Sequence, residues 1–272
     1  KLTTLTTVQK MLDRLYQDVE VAVKAGMTTR NELLQVELKR NEVASNQIKL
    51  ENALSLSKMV LAQYIGETGD GFEIETDIPV EDIPVFPEQL RRDHHASLVL
   101  TPEYHLLEKN VEANRLQKNL AIGKNLPTIA IGAGYMYDDL MDKSHPFGIA
   151  FATVSIPISN WWGGSHAIKK QKLQLKYAEY ERDDTGELLM IKMQKAWNDV
   201  DDAYKQILIA RKSIEQATEN LKLNEDYYKA GTTSMSDLLD AQSMFQQSRD
   251  TYVDAYSQYQ IKKLEYLLAT GR

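Results

Sequence analysis

The sequence predicts a mainly α-helical protein made of very long antiparallel coiled-coil helices, with one β-hairpin between them. All seven prolines lie between Pro79 and Pro157, which leaves residues 1–78 and 158–272 free to form long uninterrupted helices. Only residues 127–159 show the two-residue alternation of β-strands. These two patterns place one short β segment within an otherwise helical chain.

The chain contains one stretch of sequence twice. Residues 24–34 read Lys-Ala-Gly-Met-Thr-Thr-Arg-Asn-Glu-Leu-Leu, and residues 229–239 read Lys-Ala-Gly-Thr-Thr-Ser-Met-Ser-Asp-Leu-Leu. The offset of 205 residues persists without a gap to the ends of the two copies, at Gly66 and Gly271. Because common solenoid repeats are far shorter, this spacing indicates one supersecondary unit used twice.

The first copy, residues 1–66, predicts a helical hairpin. Gly26 ends its first helix, because glycine accepts the left-handed backbone conformation that follows many helices. Thr28 or Thr29 is expected to cap the second helix, with Glu32 placed three or four residues later for a capping box. That second helix is expected to run to the end of the copy.

Two further segments connect the first copy to the β region. Residues 67–100 predict an irregular connector, since glycines and prolines interrupt short apolar pairs there. Residues 101–124 predict a helix with Pro102 at its first position, where the missing N–H is not needed.

Residues 125–160 predict an antiparallel β-hairpin with strands at 127–138 and 147–159, joined by a polar loop. The second strand carries no charged residue. In the first strand, one face carries the larger residues: Ile129, Ile131, Ala133, Tyr135 and Tyr137. An isolated two-stranded hairpin is only marginally stable in water, so this hairpin is expected to need partners from elsewhere.

Residues 161–272 predict the long helical hairpin of the second copy. The segment Trp161-Trp162-Gly163-Gly164 is expected to end the β-hairpin as a tight turn, before a helix of roughly 65 residues that reaches Lys229. After Gly231, a final helix repeats large residues every seven positions: Leu238, Phe245, Tyr252, Tyr259 and Tyr266. Between them lie Ala241, Ser248, Ala255 and Lys262. This alternation is typical of a coiled-coil seam.

Composition excludes several classes of function. The chain has no cysteine, which excludes a disulfide framework, a thiolate zinc site and a cysteine nucleophile. Its net charge of -7 argues against nucleic acid as a partner. The sequence has no run of about 18 apolar residues that could form a transmembrane helix. Its first residues do not resemble a signal peptide. The length of 272 residues suits one large domain or two smaller ones.

The sequence contains no pattern typical of an enzyme. Gly-rich phosphate loops, nucleophile elbows and zinc-binding His-Glu helices are all missing from it. Gly132 and Gly134 lie in a strand that no helix follows, so they do not form a dinucleotide fingerprint. His94 and His95 have neither a nearby cysteine nor a spaced set of carboxylates, and a solvated pair is the simpler interpretation. We therefore expect no catalytic residue, no cofactor and no metal.

These features together resemble the TolC family of outer-membrane efflux channels over essentially the whole chain. The most specific part runs from Tyr228-Lys229-Ala230-Gly231 through Asp237-Leu238-Leu239-Asp240-Ala241. Further matches follow it at Tyr252, Ala255, Tyr256, Tyr259, Leu264 and Gly271. The segments on either side of the β-hairpin also fit the family pattern: Asn125-Leu126-Pro127, Val154-Ser155-Ile156-Pro157-Ile158 and Gly163-Gly164.

The resemblance implies a homotrimer whose protomers each contribute two hairpins to a 12-stranded β-barrel in the outer membrane of a Gram-negative bacterium. The long helices would form a tunnel across the periplasm. It implies a passive exit duct of a tripartite efflux or type I export system, with a periplasmic adaptor, an inner-membrane pump and outer-membrane lipid as partners. Since this chain carries one hairpin, we expect it to be the end of the first repeat plus the whole second repeat of a longer protein.

The resemblance also assigns roles to residues at the two helical turns. The residues expected to contact the adaptor are Ala25, Gly26, Met27, Thr28, Ala230, Gly231, Thr232 and Thr233. Asp237 and Asp240 match paired aspartates at the channel entrance, where threefold symmetry would form rings of carboxylates that favour cations and whose crowding should raise some of their pKa values.

A hydrogen bond between Tyr228 and Glu32 is a candidate latch that holds the channel closed. Thr233 stands where better-known members carry an arginine, so their full ionic latch is not expected in this chain. Arg30 is a candidate substitute for that arginine.

In the β-hairpin, the resemblance implies that the face with the larger residues is turned towards lipid. Trp161 and Trp162 would then lie at the periplasmic interface of the membrane, although a buried packing pair explains them about as well.

Two other classes of protein also have long helical hairpins. A periplasmic adaptor should carry lipoyl-like and β-barrel segments beside its hairpin, and a structural coiled-coil protein would not need the β-hairpin. An enzyme is a distant third alternative.

Overall fold

The computed structural model describes residues 1–67, 71–74, 83–140, 143–156 and 160–272, and the side chains of 138–140, 143–145 and 160–162 are outside that description. Within these ranges the helices are α1 (Leu2–Lys24), α2 (Arg30–Ile65), α3 (His94–Leu98), α4 (Pro102–Gly123), α5 (Asn160–Lys229) and α6 (Met235–Ala269). The strands are β1 (Thr128–Leu140) and β2 (Lys143–Ser155), and a 3-10 turn spans Glu88–Leu90. The predicted fold class, long helices with one β-hairpin, is confirmed.

The chain forms two compact units. The first unit comprises residues 1–91 and 196–266, and the second comprises residues 92–195 and 267–272. Neither the described helices of the first unit nor those of the second combine the length and hydropathy needed to cross a membrane.

The first unit has two clusters of buried residues, named here the aliphatic core and the aromatic core. The aliphatic core draws on α1, α2, α5 and α6: Leu5, Val8, Leu12, Val19, Val36, Val43, Leu221, Met235, Leu238, Leu239, Ala241 and Phe245. The aromatic core consists of Trp197, Val200, Ile207, Ala210, Ile214, Tyr252, Tyr259 and Tyr266. All five large residues of the predicted seven-residue seam are buried, so the seam prediction is confirmed.

The two sequence copies also share their backbone geometry. Gly26 and Gly231 have φ angles of 70° and 71°, in the left-handed region that glycine enters without strain. After each glycine, the next N–H bonds to a carbonyl five residues earlier, from Met27 to Ala22 at 2.8 Å and from Thr232 to Tyr227 at 2.9 Å. This is the Schellman ending of a helix, and it reverses the chain in the same way in both copies.

The β-hairpin of the second unit pairs Thr128 with Ser155 and Leu140 with Lys143 in an antiparallel register. The sequence predicted a longer polar loop over residues 138–146 and a second strand ending at residue 159. The ladder instead extends into that loop, because paired backbone groups satisfy each other's hydrogen bonds even where the side chains are polar. Residues 157–159 lie outside the described part of the chain.

α5 begins at Asn160, so the prediction of a tight turn at residues 161–164 was wrong. A glycine inside a helix costs about 1 kcal/mol relative to alanine, yet Gly164 also makes close packing possible. An added Cβ at Gly164 would lie 1.8 Å from Oδ1 of Asn125. The amide of Asn125 donates to the Ala121 carbonyl at 2.7 Å, which closes the end of α4 against the start of α5.

The predicted connector, residues 67–100, contains one α-helix, α3, and one 3-10 turn among its described residues. Asp93 caps α3 by accepting a hydrogen bond from the His95 backbone N–H at 2.9 Å. In the described part of the chain no cluster of three or more His, Asp or Glu side chains could hold a metal ion.

Candidate functional site at the two helical turns

Most of the candidate residues lie at the two turns where the chain reverses direction, between α1 and α2 and between α5 and α6. The first tip is defined as residues 25–29 and the second tip as residues 230–234. Both are largely exposed, and Met27 is 82% exposed. A Cβ added at Gly26 or Gly231 would meet nothing within 4 Å, so the positive φ, rather than close packing, accounts for these glycines.

Tyr228, near the end of α5, reaches across to Glu32, in the first turn of α2. The Tyr228 hydroxyl donates to Oε2 of Glu32 at 2.7 Å. The Thr28 hydroxyl donates to the same oxygen at 2.6 Å. One carboxylate oxygen therefore accepts two hydrogen bonds and connects residues 196 positions apart in sequence.

The surroundings keep the Tyr228 phenol protonated. Burial raises the pKa of Tyr228 most, and the hydrogen bond to the Glu32 carboxylate raises it further, while the Thr28 hydroxyl lowers it by less. A neutral phenol is the form that can donate to a carboxylate, so the arrangement persists at physiological pH.

Asp237 occupies the place in the second copy that Glu32 has in the first. Its Oδ2 atom accepts hydrogen bonds from the Thr233 hydroxyl at 3.1 Å, the Ser234 hydroxyl at 2.6 Å and the Ser234 backbone N–H at 3.2 Å. The Asp237 N–H donates back to the Ser234 hydroxyl oxygen at 3.2 Å. This reciprocal pair is a capping box at the start of α6.

These contacts shift the pKa of Asp237 downward. The Ser234 side chain is the main cause, followed by the Ser234 backbone and the Thr233 hydroxyl, because all three stabilise the ionised carboxylate. The expected rise for some of the entrance aspartates concerns crowding between protomers, and within the single chain the pKa of Asp237 is lowered by its local hydrogen bonds. Asp240 is exposed one helical turn further along α6.

The capping box predicted at Glu32 was wrong. Thr29 is the residue before α2 and its side chain makes no capping hydrogen bond. The Glu32 carboxylate contacts Thr28 and Tyr228 instead of the Thr29 N–H. Thr29 and Glu32 have the spacing of a capping box, but the Glu32 carboxylate accepts a hydrogen bond from Tyr228 on α5 instead.

A cavity of about 810 Å³ adjoins the two tips, with Glu32, Tyr228 and Gln242 among its lining residues. Gln242 is 4% exposed, and its Oε1 atom has no hydrogen-bond partner. Sequence analysis missed both Gln242 and the capping role of Ser234. The Ser-x-x-Asp spacing could have identified Ser234, and Gln242 lies four residues after the buried Leu238.

Arg30 is the other described residue that the sequence assigned to this site. Arg30 is exposed and makes no ion pair with any described residue, so the structure offers no contact in which it replaces the missing arginine. Trp161 and Trp162 belong to the first turn of α5, and their side chains lie outside the described part of the chain.

The chain belongs to the outer membrane efflux protein family, whose family model matches residues 102–272. This membership agrees with the prediction of a TolC-like protein that is not an enzyme. No curated protein matches the sequence.

Solved structures extend the likeness to the whole chain. CusC superimposes with a TM-score of 0.85 at 16% identity, over 100% of this chain and 64% of its own. The outer membrane protein VceC from Vibrio cholerae gives 0.80 at 16% identity, over 99% of this chain and 65% of its own. The outer membrane channel MtrE of Neisseria gonorrhoeae, in its open state, gives 0.80 at 15% identity, over 99% and 62%. These likenesses establish the fold, and the chain spans slightly less than two thirds of the length of these proteins.

Proposed function

We propose that the protein is the outer-membrane channel of an efflux or type I export system. It is a passive duct for substrates that an inner-membrane pump and a periplasmic adaptor deliver. The observation that carries this proposal is the match of residues 102–272 to the outer membrane efflux protein family. The fold shared with VceC and MtrE, which are an outer membrane protein and an outer membrane channel, supports it.

The working assembly is a homotrimer, with a 12-stranded β-barrel in the outer membrane of a Gram-negative bacterium and helices in the periplasm. The exposure of the β-hairpin supports this arrangement. Ile131 is 86% exposed and Tyr135 is 76% exposed in the isolated chain. Contiguous apolar surface of this kind marks a face that another surface covers, and lipid is the expected cover. Trp161 and Trp162 would follow at the periplasmic interface.

The hydrogen bond between Tyr228 and Glu32 is the proposed gate latch. It joins the two helical hairpins at the end where both reverse direction, so its loss would let them separate there. Just inside this latch, three copies each of Asp237 and Asp240 would form carboxylate rings that favour cations at the channel entrance.

The two exposed tips are the proposed docking points for the adaptor. Their exposure leaves the backbone of each turn accessible to another protein. Replacing Gly231 with a bulky residue should lower pump-dependent export by more than the accompanying fall in the amount of protein, since its φ of 71° strains any larger residue. Unchanged export would contradict this assignment.

Single-channel conductance of the full-length protein in a planar bilayer tests the proposal. We expect small cation-selective openings, and weaker block by divalent cations in a variant with Asp237→Ala and Asp240→Ala. If a correctly folded trimer conducts nothing, and still conducts nothing after Tyr228→Phe, the protein is not a channel of this kind.

A further inference from the structure

The two copies use equivalent carboxylates in different ways. Thr28 and Thr233 are equivalent, and each donates its hydroxyl to the acid four residues later, at 2.6 Å to Glu32 and at 3.1 Å to Asp237. The second partner of each acid differs. Asp237 bonds to the Ser234 residue beside it, whereas Glu32 bonds to Tyr228 on another helix.

The first tip therefore contains an unused local partner for Glu32. Thr29 is equivalent to Ser234, precedes α2 with an extended backbone, and makes no capping hydrogen bond through its side chain. A glutamate at the third position of a helix is the residue that normally accepts the N–H of the capping residue. The second copy demonstrates the local arrangement within the same protein.

Two differences between the copies account for which acid reaches across. Glutamate is one methylene longer than aspartate, and the position equivalent to Tyr228 is Val23, which has no hydroxyl to donate to Asp237. The threonine hydroxyl donates to the acid in both copies, so Thr28 can stay bonded to the Glu32 carboxylate while the second partner of that carboxylate changes.

We propose that Glu32 is a two-position carboxylate, which exchanges the Tyr228 hydroxyl for the backbone N–H of Thr29 when the latch opens, with Thr28 as the positioning residue that stays bonded in both positions. The inference rests on the proposed gate function. Because the carboxylate regains a hydrogen bond at the start of α2, opening does not leave a charge without a partner. The latch is thereby reversible at small cost.

Amide hydrogen exchange of the full chain, measured residue by residue with NMR, tests this exchange of partners. In Tyr228→Phe, the Thr29 amide should exchange about fivefold more slowly than in the wild type, which is the protection expected of one N-cap hydrogen bond. The Ser234 amide, already bonded to Asp237, should not change and reports that the tips remain folded. An unchanged or faster Thr29 amide, with Ser234 still protected, overturns the proposal.

A second variant keeps the tyrosine. Glu32→Asp shortens the acid to the length of Asp237, so it should protect the Thr29 amide by a similar factor even with Tyr228 present. If Tyr228→Phe disturbs the fold at the tip, this variant decides the question: slower exchange at Thr29 supports the proposal and unchanged exchange overturns it.

Conductance separates this inference from the gate itself. If Tyr228→Phe slows exchange at Thr29 while channel opening is unchanged, the exchange of partners stands and the gate assignment fails. If opening increases while exchange at Thr29 is unchanged, the gate assignment stands and the two-position carboxylate is wrong.

Discussion

Tyr228→Phe removes one hydroxyl and keeps the aromatic ring, so it isolates the hydrogen bond to Glu32. The bond is 2.7 Å long, joins a phenol to a carboxylate and is partly buried. Hydrogen bonds to charged groups contribute about 1.5–3 kcal/mol to stability, and partial exposure places this one near the lower limit. If Glu32 found no replacement partner, a loss of about 1.5 kcal/mol would shift the ratio of open to closed forms roughly tenfold in each protomer, and a new hydrogen bond to the Thr29 N–H would reduce that shift.

In a trimer whose three latches open together, the three losses would combine to at most about a thousandfold, so rare openings should become more frequent. The assay is single-channel open probability of the full-length protein in a planar bilayer. The matched control is Tyr227→Phe, which removes the hydroxyl of a neighbouring tyrosine that is 51% exposed and whose hydroxyl makes no hydrogen bond to a described residue.

The reasoning is refuted if the open probability of Tyr228→Phe equals that of Tyr227→Phe while the hydrogen bond is demonstrably gone. The pH dependence gives a second check. Because the pKa of Tyr228 is raised above its ordinary value of 10.0, the phenol contributes its stabilisation fully below that pH and loses it as the pH rises further. Channel closure should therefore persist through neutral pH and weaken only in strong alkali.

Three further outcomes are expected. The pKa of Asp237 lies below its ordinary value of 3.8, so its cap on α6 stabilises the fold above that pH and is lost as the pH falls through the lowered pKa. An NMR titration of the Asp237 carboxyl carbon should show this lowered pKa. Ser234→Ala should move the midpoint of that titration to higher pH. Gly231→Ala should cost about 1–2 kcal/mol in urea unfolding, because its φ of 71° strains any residue with a Cβ, and an unchanged midpoint would contradict this. Gly164→Ala should lower the free energy of unfolding by about 1–3 kcal/mol, because the added methyl group displaces Asn125. The loss should be smaller in a chain that also carries Asn125→Ala. Equal losses in both backgrounds would show that the contact between Gly164 and Asn125 is unimportant.

The candidate site shows which contacts local sequence patterns predict and which they do not. The capping pattern predicted a box at the first tip only, whereas the structure has one at the second tip, between Ser234 and Asp237. At the first tip the same pattern failed, because Tyr228 on α5 competes for Glu32. The pairing of Tyr228 with Glu32 was anticipated from the family resemblance, since no spacing rule connects residues 196 positions apart.

The sequence by itself determined the helices, the seven-residue seam of α6, the repeated glycine turns and the position of the β-hairpin. Each of these depends on contacts between near neighbours or on the period of one element, which the order of residues contains directly. Only the tertiary structure decided the extra pairs of the β ladder, the start of α5 at Asn160 and the partner of Glu32. The extra ladder pairs lie close in sequence and continue the register of the whole hairpin. The start of α5 and the partner of Glu32 depend on groups that are distant in sequence, and competition with local partners is resolved only when the helices pack together.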